Sequence, residues 1–154
     1  MSEEKKPGYL SSVLDNRCPR CRTGKLFVNS NPYKLKSVVK MNKSCPVCGQ
    51  PTEIEVGFYY GTAYVSYALT VAFCVTTFVA WWVLIGFSVQ DGDYRLLYWG
   101  IINAVLLIVL QPVFMRLSRS LWLSWFVKYE PDWKNKPISS ESVERVVPEQ
   151  MNNW

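Results

Sequence analysis

Thirty-five consecutive residues, Val56 to Gln90, contain no Asp, Glu, Lys or Arg. A helix rises about 1.5 Å per residue and the hydrocarbon core of a bilayer takes about 20 apolar residues, so this run is long enough to cross a membrane with turns to spare. It starts too far into the chain for a secretory leader, and the opening MSEEKKPGYL has no apolar h-region; the reading is therefore a retained segment, not a cleaved one. A second charge-free run, Leu96 to Met115, has twenty residues, close to the minimum span. Together they predict an α-helical membrane protein built on a two-helix transmembrane hairpin over residues 57–116, with spans of about 61–86 and 96–115.

Charge gives the expected orientation. Met1 to Val56 holds ten Lys or Arg against five acids, Arg116 to Trp154 holds six against five, and the connecting DGDYR has two Asp and one Arg. Cationic flanks resist translocation, so both termini are expected on the cytoplasmic side of an inner (cytoplasmic) membrane, joined by an even number of crossings.

The segment before Val56 is too small to bury a large apolar core, and chains of that size need a metal or disulfides to hold a fold. Four of the five cysteines lie there. Cys18-Pro-Arg-Cys21 is followed, after twenty-three residues, by Cys45-Pro-Val-Cys48-Gly49. Two residues between cysteines let the chain turn tightly enough to aim both sulfurs at one ion, and two such knuckles complete a tetrahedron: the pattern of a structural tetrathiolate zinc site with Cys18, Cys21, Cys45 and Cys48 as ligands to one Zn2+. Four sulfurs close the coordination shell and leave no position for a substrate. Two disulfides are the alternative, opposed by a reducing cytoplasm, and a redox dithiol is another, opposed by the lack of βαβ alternation. Histidine is absent from the chain, which excludes imidazole ligands, a histidine-ligated haem and every Ser/His or Cys/His catalytic pair.

The expected head is a zinc ribbon over residues 16–56, after a flexible lead-in at 1–15. Gly24 to Val28 reads as a short strand. Asn31 and Pro32 start a short amphipathic helix carrying Leu35, Val38 and Val39, and Thr52 to Val56 alternates as a closing strand. Lys34, Lys36, Lys40 and Lys43 make either a solvated face or one that meets anionic lipid. Four thiolates and one zinc reduce the segment's charge from +5 to +3, modest for a nucleic-acid binder. Glu53 and Glu55 lack a partner base, nucleophile or open metal, so catalysis by them is disfavoured, and no small-molecule substrate is indicated.

At the membrane, Phe58, Tyr59, Tyr60, Tyr64 and Tyr67 read as an aromatic belt on the cytoplasmic side, with Trp81 and Trp82 at the opposite interface. Cys74 reads as a small packing residue in mid-span. Ser66, Thr70, Thr76 and Thr77 have the sizes that let helices approach. Asn103 and the Gln111-Pro112 pair are the polar and kinking elements of the second span. Beyond it, Arg116 and Arg119 are expected to reach lipid phosphates, and with Leu121, Trp122, Trp125 and Phe126 they suggest an interfacial amphipathic helix at 117–130. A flexible tail at 131–154 follows.

CPRC with GKLF, the second CPVCG, GFYYG before the first span, two close spans and RLSRSLW resemble the small membrane proteins grouped as domain of unknown function family 983, over about Asn16 to Asp132. The resemblance implies a zinc-ribbon head on a two-helix anchor, with the four knuckle cysteines as ligands. Some relatives are encoded beside haem-copper oxidase components, which implies an assembly role. Many relatives place Gly where this chain has Arg22.

The function expected from these residues is a non-catalytic accessory or assembly subunit of an inner-membrane complex, with the ribbon as a cytoplasmic docking module. Its partners would be the lipid bilayer and membrane proteins of that complex, or further copies of itself. Metal delivery or thiol redox, for instance in respiratory oxidase assembly, is the alternative and needs a labile site. A membrane-tethered adapter for RNA or the ribosome is a third, weakened because Phe27 and Tyr33 alone offer stacking rings in the head.

Overall fold

The computed structural model describes residues 8–88 and 92–138. Three α-helices carry it: α1 (Tyr9–Leu14), α2 (Thr62–Leu84) and α3 (Arg95–Phe126). The 23 residues of α2 and the 32 of α3 pack side by side as a hairpin. At about 1.5 Å per residue they are roughly 35 and 48 Å long, and both are long and apolar enough to cross a membrane.

Local chemistry sets the ends of the hairpin. Gly86, at φ 78°, donates to the carbonyl of Trp82 and closes α2 with a left-handed cap that a side chain would strain. Asp93 accepts the amide of Arg95 at the start of α3 and the amide of Ser88 across the turn. Between the helices, Ser66 Oγ donates to Ser118 Oγ at 2.8 Å. Deeper along the pair, Thr77 donates to Asn103 Oδ1 at 3.0 Å and Asn103 Nδ2 reaches Cys74 Sγ at 3.4 Å. The amide of Asn103 is thus spent inside the hairpin, and Cys74 belongs to that polar contact.

The head covers one end of the hairpin. Among the described residues it has no strand, only isolated antiparallel bridges between Arg17 and Lys25, Phe27 and Met41, and Ser44 and Pro51. The strand expected at 24–28 reduces to two isolated bridges, at Lys25 and Phe27, which face different partner segments, and the one expected at 52–56 forms no bridge, the last lying at Pro51. The helix expected after Pro32 shrinks to one 3-10 turn, Leu35–Ser37. Asn31 Oδ1 does accept the amide of Tyr33, but only Val38 of the apolar trio is buried, too little to sustain a longer helix.

Two further expectations change. Tyr9–Leu14 is a helical turn docked on α3, with Val13 buried and the Tyr9 hydroxyl 2.9 Å from Ser124 Oγ, where a flexible lead-in was expected. The interfacial helix expected at 117–130 is the uninterrupted continuation of α3, which passes through Pro112 and runs to Phe126. Its inward side chains Ser120, Leu123 and, just beyond, Val127 are buried against the head. Residues 127–138 then fold back over the first knuckle, and only 139–154 of the expected tail lies outside the described residues.

One core joins these parts. Cys18, Cys21, Leu26, Phe27, Cys45, Ile54 and Phe58 form a single buried cluster with Leu123 and Val127. At its edge, the indole N–H of Trp122 donates to the carbonyl of Phe58 at 2.8 Å, and the ring lies where a side chain on Gly61 would go: a Cβ there would sit 2.2 Å from Trp122 Cζ2. Gly61→Ala is therefore expected to destabilise the protein by about 1–3 kcal/mol through overpacking. Gly100→Ala, with nothing within 4 Å of its Cβ position, is expected to be neutral or stabilising by up to about 1 kcal/mol. Thermal unfolding of the two variants in the same detergent checks both.

Candidate metal centre

The two CxxC segments fold as near copies of one turn. In the first, Cys18 donates its amide to Gly24 O and Arg22 donates to Cys18 O; in the second, Cys45 donates to Gln50 O and Gly49 donates to Cys45 O. Each turn bends through a left-handed residue directly after its second cysteine, Arg22 at φ 58° and Gly49 at φ 71°. Glycine takes that conformation freely, whereas a side chain pays about 1–2 kcal/mol. The Arg22 guanidinium lies 3.9 Å over the Tyr129 ring, a cation–π contact that offsets part of this cost.

The turns bring four sulfurs together. Cys18 Sγ lies 3.7 Å from Cys48 Sγ and Cys21 Sγ 3.7 Å from Cys45 Sγ, each contact joining one knuckle to the other. All four sulfurs lie within 4.8 Å of one another. A disulfide needs about 2.05 Å, and no disulfide joins them. A tetrahedron with metal–sulfur bonds of about 2.3 Å has edges of about 3.8 Å, so the two short separations match a tetrathiolate shell. Four close cysteines that could hold a metal ion are thus in place, and the donor set fits a soft, tetrahedral cation.

The surroundings suit thiolates. Cys18, Cys21 and Cys45 are buried and Cys48 is partly so. Thr23 Oγ1 donates to Cys21 Sγ at 3.3 Å and the Gly24 amide at 3.5 Å. Packed so closely, the thiols perturb one another. Hydrogen bonds with Cys21, then Cys45 and Cys48, raise Cys18 well above the usual thiol range; those with Cys18 first, then Cys45 and Cys48, hold Cys21 well below it. Cys45 is lowered to about 6, chiefly by Cys18. Some of the four keep protons as long as only sulfur faces sulfur; a divalent ion would take the place of those protons.

The head is clamped to the helices by arginines. Arg116 is 3% exposed and donates to the carbonyls of Val38, Ser30 and Asn31 at 2.8, 3.1 and 2.9 Å, with Phe27 under its guanidinium. Arg119 donates to Val39 O at 3.0 Å and lies over the Tyr59 ring, whose hydroxyl donates to Thr52 O. These two side chains, expected at lipid phosphates, instead gather the loop between the knuckles onto α3. Of the other residues expected at a membrane interface, Tyr60, Tyr64 and Trp125 face outward, while Tyr59 and Trp122 fill the seam between head and hairpin.

Arg20, which sequence reasoning passed over, holds the segment that folds back. Its buried guanidinium donates to the carbonyls of Lys136 and Pro137, and more distantly to Cys48 O, while its own carbonyl accepts from Glu130. Glu53 sits beside the seam; burial raises its carboxyl above the usual range and the Arg119 charge works against that.

No family model, curated protein or solved structure matches this chain.

Gly24 lies against the cluster: a Cβ there would come 2.3 Å from Cys45 Sγ. Gly24→Ala is expected to weaken metal binding at least about tenfold, because the added methyl pushes Cys45 Sγ off its position, an effect on the order of other perturbations next to a ligand. Chelator competition on the purified protein, with metal content read by mass spectrometry, checks this. The same assay on the unaltered protein is expected to show weaker binding at about pH 6 than at about pH 8, because protons compete for the thiolates. Arg116→Ala, which leaves three carbonyls without their donor, is expected to cost about 2–4 kcal/mol. Faster limited proteolysis of residues 28–40, with α2 and α3 still protected, would register it.

Proposed function

We propose that the chain is a non-catalytic accessory or assembly subunit of an inner-membrane protein complex. In this reading α2 and α3 cross the bilayer, both termini are cytoplasmic, and the head is a zinc-ribbon module that presents a fixed surface to a partner protein. The observation that carries the proposal is the joint core: the four-sulfur cluster, whose donors leave no coordination position for a substrate, shares one buried cluster with Phe58 and Leu123 at the base of the hairpin. A metal used this way makes a small head rigid with respect to its anchor, which serves docking rather than turnover.

Zinc is the proposed ion because it is borderline-soft, has no geometric preference of its own and accepts four thiolates in a tetrahedron. The resemblance to domain of unknown function family 983 points the same way, toward a ribbon on a two-helix anchor and a role in assembling a larger membrane complex.

Extraction of the tagged full-length protein in mild detergent, with mass spectrometry of co-purifying subunits, tests the reading beside a Cys18→Ser, Cys21→Ser variant. Stoichiometric membrane subunits that disappear with the variant are the expected result. Recovery of the unaltered protein alone, holding a metal that a weak chelator removes, would sink the accessory-subunit reading and leave metal delivery in its place.

A further inference from the structure

Beside the seam lies a groove of about 830 Å³ that the metal centre does not use. One wall is the loop between the knuckles, with Lys36, Lys40 and Lys43; the other is the entry to α2, with Tyr60, and the Arg119 side of α3. Four cationic side chains line it against the single carboxylate of Glu53. The three lysines are exposed, and they stand on a loop pinned by the Arg116 and Arg119 hydrogen bonds, so their charges are held about the groove and not spread over a mobile arm.

The position of the groove narrows what it can hold. It opens where the 3-10 turn Phe58–Gly61 leads into α2, at the end of the charge-free segment. Tyr60, Tyr64 and Tyr67, 68%, 78% and 71% exposed, continue from it down one face of α2, and Val71 and Val75 extend the same face. A basic recess at the top of an exposed aromatic and aliphatic stripe has the two halves of an anionic amphiphile's shape: phosphate above, hydrocarbon below.

We propose that this groove binds the headgroup of an anionic phospholipid, its phosphate among Lys36, Lys40 and Lys43 and its acyl chains along the Tyr60, Tyr64 and Tyr67 face. The site rests on the bilayer placement proposed above. It goes beyond that placement in assigning one headgroup class and one location, where a general attraction of basic residues to a membrane would assign neither. Glu53 gives the recess a side that repels phosphate, so the ligand's negative charge sits toward the lysine loop.

The test uses the full-length, metal-loaded protein in neutral detergent, mixed with phosphatidylglycerol or with phosphatidylcholine, and counts retained lipid by native mass spectrometry. Retention of phosphatidylglycerol at least tenfold above phosphatidylcholine is expected for the unaltered protein. K36Q/K40Q/K43Q is expected to lose that preference, while K25Q/K34Q/K128Q, which removes the same charge outside the groove, changes it less than twofold. Unchanged metal content in both variants shows that the head is still folded. Equal losses in the two triple variants, or no headgroup preference at all, would overturn the site. Complete displacement of the lipid by excess inorganic phosphate would overturn it too, in favour of a site for a soluble phosphate. Alkaline carbonate extraction of native membranes separates the two levels. Release of the unaltered protein would refute the bilayer placement, whereas a protein that stays in the membrane yet shows no preference refutes the groove alone.

Discussion

Four sulfur atoms within 4.8 Å of one another cannot all be ionised unless a cation stands among them. Everything else in the head follows from that constraint. Among the described residues the head has neither strand nor long helix, and its apolar core is shared with the hairpin. Its own backbone pairing consists mainly of isolated bridges, two knuckle turns and the 3-10 turn Leu35–Ser37. Such a framework is too small to offset the chain entropy of some forty residues by burial alone. A soft divalent ion bound by the four thiolates would supply what burial lacks, since its affinity would become folding free energy on the order of 10 kcal/mol.

The second requirement is to join this head to a hairpin without leaving a charge stranded. Arg116 does so without a carboxylate partner among the described residues: three carbonyls and an aromatic face receive its guanidinium. Arginine suits this role better than lysine would, because its planar fork spreads one charge over several fixed N–H directions and remains protonated when buried. The carbonyls of Ser30, Asn31 and Val38 belong to a loop with little secondary structure and would otherwise need water as a donor. Cation and carbonyls therefore satisfy one another at the point where the head meets the stalk.

The two long helices were legible because a charge-free run is a local property, and so was the four-cysteine cluster, because two residues between cysteines dictate a turn whatever surrounds it. The role of Arg116 was not legible. Its partners lie 78 to 86 residues away in sequence, and an arginine at the end of an apolar run reads as a phosphate ligand until the loop that covers it is seen. The continuity of α3 was hidden for a related reason: the change from apolar to mixed composition after Met115 marks a change of neighbour, from the outer faces of the hairpin to the head, without a change of conformation. Strands were expected at 24–28 and, from alternation, at 52–56, but Leu26 and Val28 bond singly to Asn16, Lys40 and Asn42, and the Thr52 amide goes to Lys43 O, so no continuous ladder forms. Arg22 shows the reverse case, a non-glycine residue in the left-handed position that the second knuckle fills with Gly49, held there beside a tyrosine more than a hundred residues away.

The sulfur cluster and the basic groove are coupled by connectivity. The loop that carries Lys36, Lys40 and Lys43 begins after Cys21 and ends before Cys45, so both of its ends are fixed when the four sulfurs are gathered and both are released when they are not. Its middle is fixed separately, by Arg116 and Arg119 on α3. A loop held at both ends and in the middle keeps little conformational freedom, and each clamp lowers the entropy that the others must overcome. Loss of the metal would therefore loosen the arginine contacts and disperse the lysines. Neutralising the arginines would in turn raise the cost of closing the second knuckle on the first. The core runs without a break from Cys18 to Leu123, so the state of the sulfur cluster bears on how the head sits on the helices, and through the loop on the charge the protein presents where α2 begins.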